Sequence, residues 1–327
     1  MTRVRTPLAG DFRRHPLHDP SGPWPQTDCY LDVWISVLHG LGLDPVPALA
    51  PVLALSADDD QLTFVKTDER DLRELYGIRY GEHPLWVSLL EHVVTQAEAG
   101  HLLVVEADSF YLPDTAGTSY RTEHLKSSIV PVELDPDAQV MTYLHNNVQG
   151  QLCDDDFAAI FRSDALTGEA STWVPLPYVE RVDLSGLQRL SSDELAEAAR
   201  AVAVRQLADS TAAPLGSLPQ WVDRHGERMA REGMPFFHRF AFATTRPAGF
   251  AAHLAGALAS WFGERGADPV ASREAASAFE EASGRAQQAQ LKLTRVARGR
   301  SVDVEALATA YDTAWSTGID RLGAALR

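Results

Sequence analysis

The rhythm of hydrophobic and polar positions changes near residue 185. Before it, short apolar runs of strand length alternate with stretches of helical period. Pro51–Ser56 and Leu62–Lys66 read as a strand pair around the turn Ala57–Asp60. Asp68–Tyr76 and Leu85–Ala99 predict helices, and the continuous apolar run His101–Ala107 predicts a strand. Ser127–Leu134 and Gln139–Asn146 predict a hairpin around Asp135-Pro136-Asp137, a tripeptide that favours a turn. Tyr178–Leu184 predicts a last strand. Beyond 185 helical periods dominate, opened by Ser191-Ser192-Asp193-Glu194, which has capping residues in place. Further helices are predicted over 217–232, 235–246, 248–263, 270–298 and 303–326, punctuated by Pro214, Pro219, Pro235, Pro247 and Pro269. The pattern predicts an α+β domain over residues 1–185 and an all-helical domain over 186–327.

Composition narrows the class. The 327 residues are 45% hydrophobic and 23% charged, the balance of a globular protein and not of a disordered one. No apolar stretch is long enough to predict a spanning helix. The net charge of −16 argues against nucleic acid and anionic membrane as partners. Two cysteines, Cys29 and Cys153, exclude a disulfide scaffold and a four-thiolate zinc site. Free thiols, and a first segment MTRVRTPLAGDFRRHPLHDP without an apolar signal core, predict a cytoplasmic protein.

The strongest local feature is Gly22-Pro23-Trp24-Pro25-Gln26-Thr27-Asp28-Cys29-Tyr30-Leu31-Asp32-Val33-Trp34. The prolines keep the chain extended through residue 25. Thr27 or Asp28 then caps a helix that begins beside Cys29. Tyr30, Trp34, Val37, Leu38 and Leu41 recur at helical spacing, Leu31 and Ile35 add a second apolar side, and Gly40 and Gly42 end the helix. A thiol in the first turn meets the positive end of the helix dipole, which predicts a lowered pKa and a cysteine nucleophile.

Of the eleven histidines, His124 stands apart. It follows the loop Tyr111–Glu123 and enters the first hairpin strand. The returning strand ends in Tyr143-Leu144-His145-Asn146-Asn147. A histidine entering one strand and an asparagine leaving its neighbour can lie side by side, as a Cys–His–Asn triad requires. Cys29, His124 and Asn146 are the predicted catalytic residues, with Asn147 and His145 as alternatives for the third member. Glu106 and Asp108 share one strand face by alternation, and with Tyr111 they are candidates for holding a substrate ammonium. Asp108, Asp114 and His124 lack the close spacing of metal motifs, so no metal is expected. Cys153 precedes Asp154-Asp155-Asp156, an acidic setting that disfavours thiolate, and reads as structural.

The order Cys29, His124, Asn146 is that of the papain-like superfamily. The strings TDCYLDVWISVLHGLGLDP, VEADSFYLPDTAGTSYRTEHLKSSI, YLHNN and FFHRFAFATTRPAGFAAHLAGALASWF resemble the bacterial family called domain of unknown function eighteen thirty-nine, over roughly residues 11–323. That family is similar to the N-terminal domain of the butirosin-type acyltransferase, which resembles papain-like cysteine peptidases. The resemblance implies a papain-like first domain and a place in natural-product biosynthesis. It also implies aminoacyl transfer from a carrier-protein thioester to an amine through a Cys29 acyl-enzyme. Family members tend to be encoded near amino-acid:carrier-protein ligases. The implied partners are an acyl or peptidyl carrier protein bearing a phosphopantetheine arm and a small-molecule or peptide amine acceptor, with no cofactor bound to the chain itself. Papain-like peptidases carry an oxyanion-hole glutamine several residues before the cysteine. Here Gln26 stands three before, and the Cys29 N–H is a second donor. Such a carrier is acidic, so docking calls for a basic patch. Lys292, Arg295 and Arg298 recur along one helix side, with Arg13 and Arg14 as second choice. A papain-like hydrolase (peptidase, amidase or thioesterase) and a non-enzymatic carrier-binding protein are the alternative readings.

Overall fold

The structure is a computed structural model that describes residues 3–161 and 178–327. Its strands are β1 (Val4–Arg5), β2 (Ala57–Asp58), β3 (Gln61–Leu62), β4 (Arg79–Glu82), β5 (Leu102–Asp108), β6 (Lys126–Asp135), β7 (Val140–His145), β8 (Val148–Cys153) and β9 (Val179–Asp183). Its helices are α1 (Cys29–Gly40), α2 (Glu69–Tyr76), α3 (Leu89–Glu98), α4 (Asp154–Phe161), α5 (Ser192–Ala208), α6 (Leu218–Glu232), α7 (Met234–Ala243), α8 (Thr245–Gly263), α9 (Pro269–Val296) and α10 (Glu305–Ala325). The chain divides into two compact units, Met1–Pro45 with Glu69–Arg189, and Val46–Asp68 with Leu190–Arg327.

The first unit is α+β. A seven-stranded antiparallel sheet runs β4-β9-β5-β6-β7-β8, and β1 pairs with the far end of β6. A bulge between Pro131 and Glu133 shifts the β6–β7 register. Helix α1 packs on β6 and β7, and its residues Tyr30 to Leu38 are all buried. A helix enclosed on every side matches its apolar positions, which fill more than one face. Each fully buried Leu, Ile or Val on it stabilises the fold by about 1.5–3 kcal/mol. A separate core joins Leu103, Val105, Ile129, Met141 and Tyr143 of the strands to Val93 of α3 and Phe157 of α4.

The second unit is mainly helical. The capping box at Ser191 forms, with Glu194 reaching back to the Ser191 N–H. The break predicted at Pro247 falls instead at Thr244, so Pro247 lies in the first turn of α8, where its missing N–H costs nothing. The predicted strand Pro51–Ser56 is corrected: Val46–Ala54 is a 3-10 helical run packed against α5 and α8, and only the two-residue β2–β3 ladder remains of the expected pair. A short apolar run does not distinguish a strand from a buried helical segment. Its packing also explains why residues 46–68, which the sequence pattern places in the first domain, group with the helical unit. No helix among the described residues is long and apolar enough to cross a membrane.

Candidate functional site

Asp28 is the N-cap of α1. Its backbone is extended, and its Oδ1 accepts from the N–H groups of Tyr30 and Leu31, both at 2.8 Å. Its carbonyl accepts from Asp32 N–H. Of the first-turn donors, Cys29 N–H alone is left without an intramolecular partner among the described residues. Buried Asp32 takes the Thr27 N–H at 2.9 Å, the Thr27 hydroxyl at 2.7 Å and His18 Nε2 at 3.1 Å. These bonds fasten the loop before Cys29 to the helix that follows it.

The Cys29 thiol donates to Ser128 Oγ at 3.9 Å, at the start of β6. Burial pushes the thiol pKa up, the Lys126 ammonium opposes the rise, Asp28 adds to it, and the hydroxyls of Ser127 and Ser128 favour thiolate. The expected lowering is therefore corrected, because loss of hydration outweighs the helix terminus. Asp28 itself is pushed up to about 7, chiefly by burial, and its Oδ2 has no hydrogen-bond partner among the described residues. The resting site holds a protonated thiol.

Two His–Asp pairs flank this strand start. His124 Nδ1 lies 2.6 Å from Asp108 Oδ2. A carboxylate only accepts, so Nδ1 carries the proton and Nε2 is the basic nitrogen. The ring stacks on Phe110 with centroids 4.2 Å apart, and the His124 side chain is 64% exposed. His145, only 1% exposed, places Nδ1 2.6 Å from Asp114 Oδ2 and Nε2 2.6 Å from Ser127 Oγ. The Tyr143 hydroxyl bonds the other Asp114 oxygen, and burial followed by Asp114 holds the phenol proton on.

The expected pairing of His124 with Asn146 is not formed. The β6–β7 ladder sets Ile129 opposite His145, and the chain reverses at Asn146-Asn147 into β8, so neither asparagine runs back alongside His124. The other neighbour of β6 is β5, which sets Asp108 opposite Lys126 and brings its carboxylate to His124. Asn146 has φ +46 and its carbonyl accepts from Ser36. Asn147 donates to the Pro25 carbonyl at 2.7 Å and accepts from Gln26 Nε2 at 3.4 Å. Among the described residues, the polar and charged groups acting on the Cys29 thiol are Ser127, Ser128, Lys126 and Asp28, and His124 is not among them.

The other predicted residues are distributed as follows. Glu106 is half-buried on the same face of β5 as Asp108, whose carboxylate is occupied by His124 and the Phe110 N–H. Tyr111 packs against the core with its ring edge toward His124. Cys153 is exposed, and Asp154 raises its thiol pKa. In the second unit Lys292 donates to the Asp303 carbonyl, while Arg295 and Arg298 are exposed at the end of α9. Arg14 donates to the Asn147 carbonyl. Sequence reasoning missed Lys126, Ser127 and Ser128. Their signal was a cation and two small hydroxyls opening an otherwise apolar strand. No cluster of three or more His, Cys, Asp and Glu side chains suited to a metal ion occurs among the described residues.

The model of the DUF1839 N-terminal domain matches residues 13–184, and that of the DUF1839 C-terminal domain matches residues 192–324. The chain belongs to the DUF1839 family. All of the residues around Cys29 lie in the DUF1839 N-terminal domain, and Lys292, Arg295 and Arg298 lie in the C-terminal one. No curated protein matches the chain.

Proposed function

We propose that this DUF1839 protein is a cysteine-dependent acyltransferase that moves an aminoacyl group from a carrier-protein thioester to an amine. The observation that carries the reading is Cys29 at the first position of α1, its own N–H without an intramolecular partner among the described residues, beside strand hydroxyls and a lysine. A helix-terminal N–H is a donor for an acyl oxyanion. In the first half-reaction the Cys29 sulfur attacks the thioester carbonyl carbon, the bond to the phosphopantetheine sulfur breaks, and that sulfur leaves as a thiol with the proton Cys29 gave up. In the second, the acceptor amine attacks the acyl-enzyme. His124, oriented by Asp108 and open to solvent, takes the amine proton and releases it to solvent, from which the departing Cys29 thiolate is reprotonated.

A papain-like first domain would suit a cysteine served by a histidine, with Asp108 taking the role of the asparagine in a Cys–His–Asn triad although it precedes His124 in the chain. No cofactor is needed on the chain, because the phosphopantetheine arm arrives on the carrier. The exposed Arg295 and Arg298 with Lys292 suit an acidic carrier, and a cytoplasmic location suits free thiols. Gln26, drawn toward Asn147, is left a positioning role for the loop before Cys29. The test is incubation with an aminoacyl-loaded carrier, with and without amines. Acylated Cys29 that turns over only with an amine supports transfer. Turnover by water alone assigns a hydrolase.

A further inference from the structure

The exposed His124 leaves a question of proton traffic, because the thiol's own neighbours are Ser127 and Ser128. Ser127 Oγ lies 2.6 Å from His145 Nε2, and His145 Nδ1 lies 2.6 Å from Asp114 Oδ2. With Asp114 as an acceptor only, Nδ1 is the protonated nitrogen and Nε2 accepts the Ser127 hydroxyl proton. That leaves the Ser127 oxygen lone pairs for the thiol, which at rest donates to the neighbouring Ser128 Oγ and must turn to Ser127 to give up its proton. Ser127 is 6% and His145 1% exposed, and a buried polar chain costs free energy unless every member is satisfied. The surroundings keep this one satisfied. Tyr143 anchors Asp114, and Gly150, opposite Tyr143 on β8, leaves room for the phenol: a Cβ there would come within 2.5 Å of the Tyr143 ring.

Resting on the reading of Cys29 as the nucleophile, we propose that the Cys29 thiol is deprotonated through Ser127 by the buried His145, with Asp114 and Tyr143 fixing the accepting tautomer, while His124 serves the acceptor amine. The thiol proton passes to Ser127 Oγ as the Ser127 hydroxyl proton passes to His145 Nε2. The products are the Cys29 thiolate, an intact Ser127 hydroxyl now facing it, and a His145 imidazolium paired with the Asp114 carboxylate. The path runs backward to protonate the departing phosphopantetheine sulfur, which returns His145 to its neutral form before the amine arrives. Two bases thus divide the two half-reactions, one enclosed and one open to solvent.

The experiment follows alkylation of Cys29 by iodoacetamide against pH, read by mass spectrometry, in a Cys153→Ser background that silences the exposed thiol. Ser127→Ala removes the bridge with little change in volume. Asp114→Asn, isosteric, removes the fixed tautomer and supplies a second variant should the first not fold. Each is expected to slow Cys29 alkylation near neutral pH on the order of tenfold and to move the midpoint of the pH profile up by about one unit. Wild-type rates and midpoints in both variants would overturn the relay. So would a slowed His124→Ala beside an unchanged Ser127→Ala, which would return the thiol proton to His124. The same proteins exposed to an aminoacyl thioester separate the two readings. Acylation of wild-type Cys29 keeps the proposed function even if the relay falls. Absent acylation, with alkylation still dependent on Ser127, keeps the relay and removes the function.

Discussion

Replacing Asp28 by Asn isolates one charge at the head of α1. The amide oxygen still caps Tyr30 and Leu31, but the ionisable proton is gone. In the folded chain burial holds the Asp28 carboxyl up to about 7, against an ordinary 3.8. Between those pH values the folded state keeps a proton that the unfolded chain releases. Its stabilising contribution is therefore full below the unfolded pKa and is lost as pH rises toward 7. A shift of roughly three units, at about 1.4 kcal/mol each, gives about 4 kcal/mol lost between about pH 4 and pH 8. Urea unfolding of wild type and Asp28→Asn across that range measures it, because every other titrating group cancels in the difference. The variant should gain on wild type by about 4 kcal/mol as pH rises. It should also alkylate faster at Cys29, since Asp28 is among the groups that hold the thiol pKa up. A stability difference independent of pH would refute the reasoning.

Three other expectations follow from the same geometry. His124→Ala and Asp108→Asn should each slow acyl transfer to the amine by roughly 10²–10⁴-fold, the range of a general base, with accumulation of acylated Cys29 as the diagnostic; fast turnover would remove His124 from the second half-reaction. Gly150→Ala should push Tyr143 off Asp114 and destabilise the first unit by about 1–3 kcal/mol through overpacking, read by thermal unfolding, with no loss contradicting the close approach. Arg295→Glu with Arg298→Glu should reduce the rate with a carrier-bound donor, more at low salt, and leave a small thioester mimic unaffected; equal rates with both donors would reduce the patch to solvated surface.

Much of this fold is legible along the chain. Asp28 before a doubly apolar run predicts both the start and the burial of α1, and Asp135-Pro136-Asp137 between two apolar strands predicts the β6–β7 hairpin. The helical half follows from period and caps. Val46–Ala54 was not legible, since a short apolar run carries no period that separates strand from helix. Strand β8 went unpredicted although Asn146-Asn147 is a turn signal, because Val148–Cys153 is largely polar and contains Gly150. The partner of His124 depends on register: Asp108 reaches it only because β5 and β6 pair at their open ends, and reading the loop between them as a connection of antiparallel strands would have found it. The His145–Asp114 pair had no local signal, since a strand residue and a short 3-10 turn meet only through tertiary packing.

Intact-protein mass spectrometry after mixing the chain with aminoacyl-loaded carrier proteins tests the acyl-enzyme most directly. The account predicts a mass gain equal to one aminoacyl group, located by digestion to Cys29, absent in Cys29→Ala, present in Cys153→Ser and discharged by an added amine. An unmodified Cys29 across a panel of loaded carriers, with the thiol still open to iodoacetamide, would contradict it.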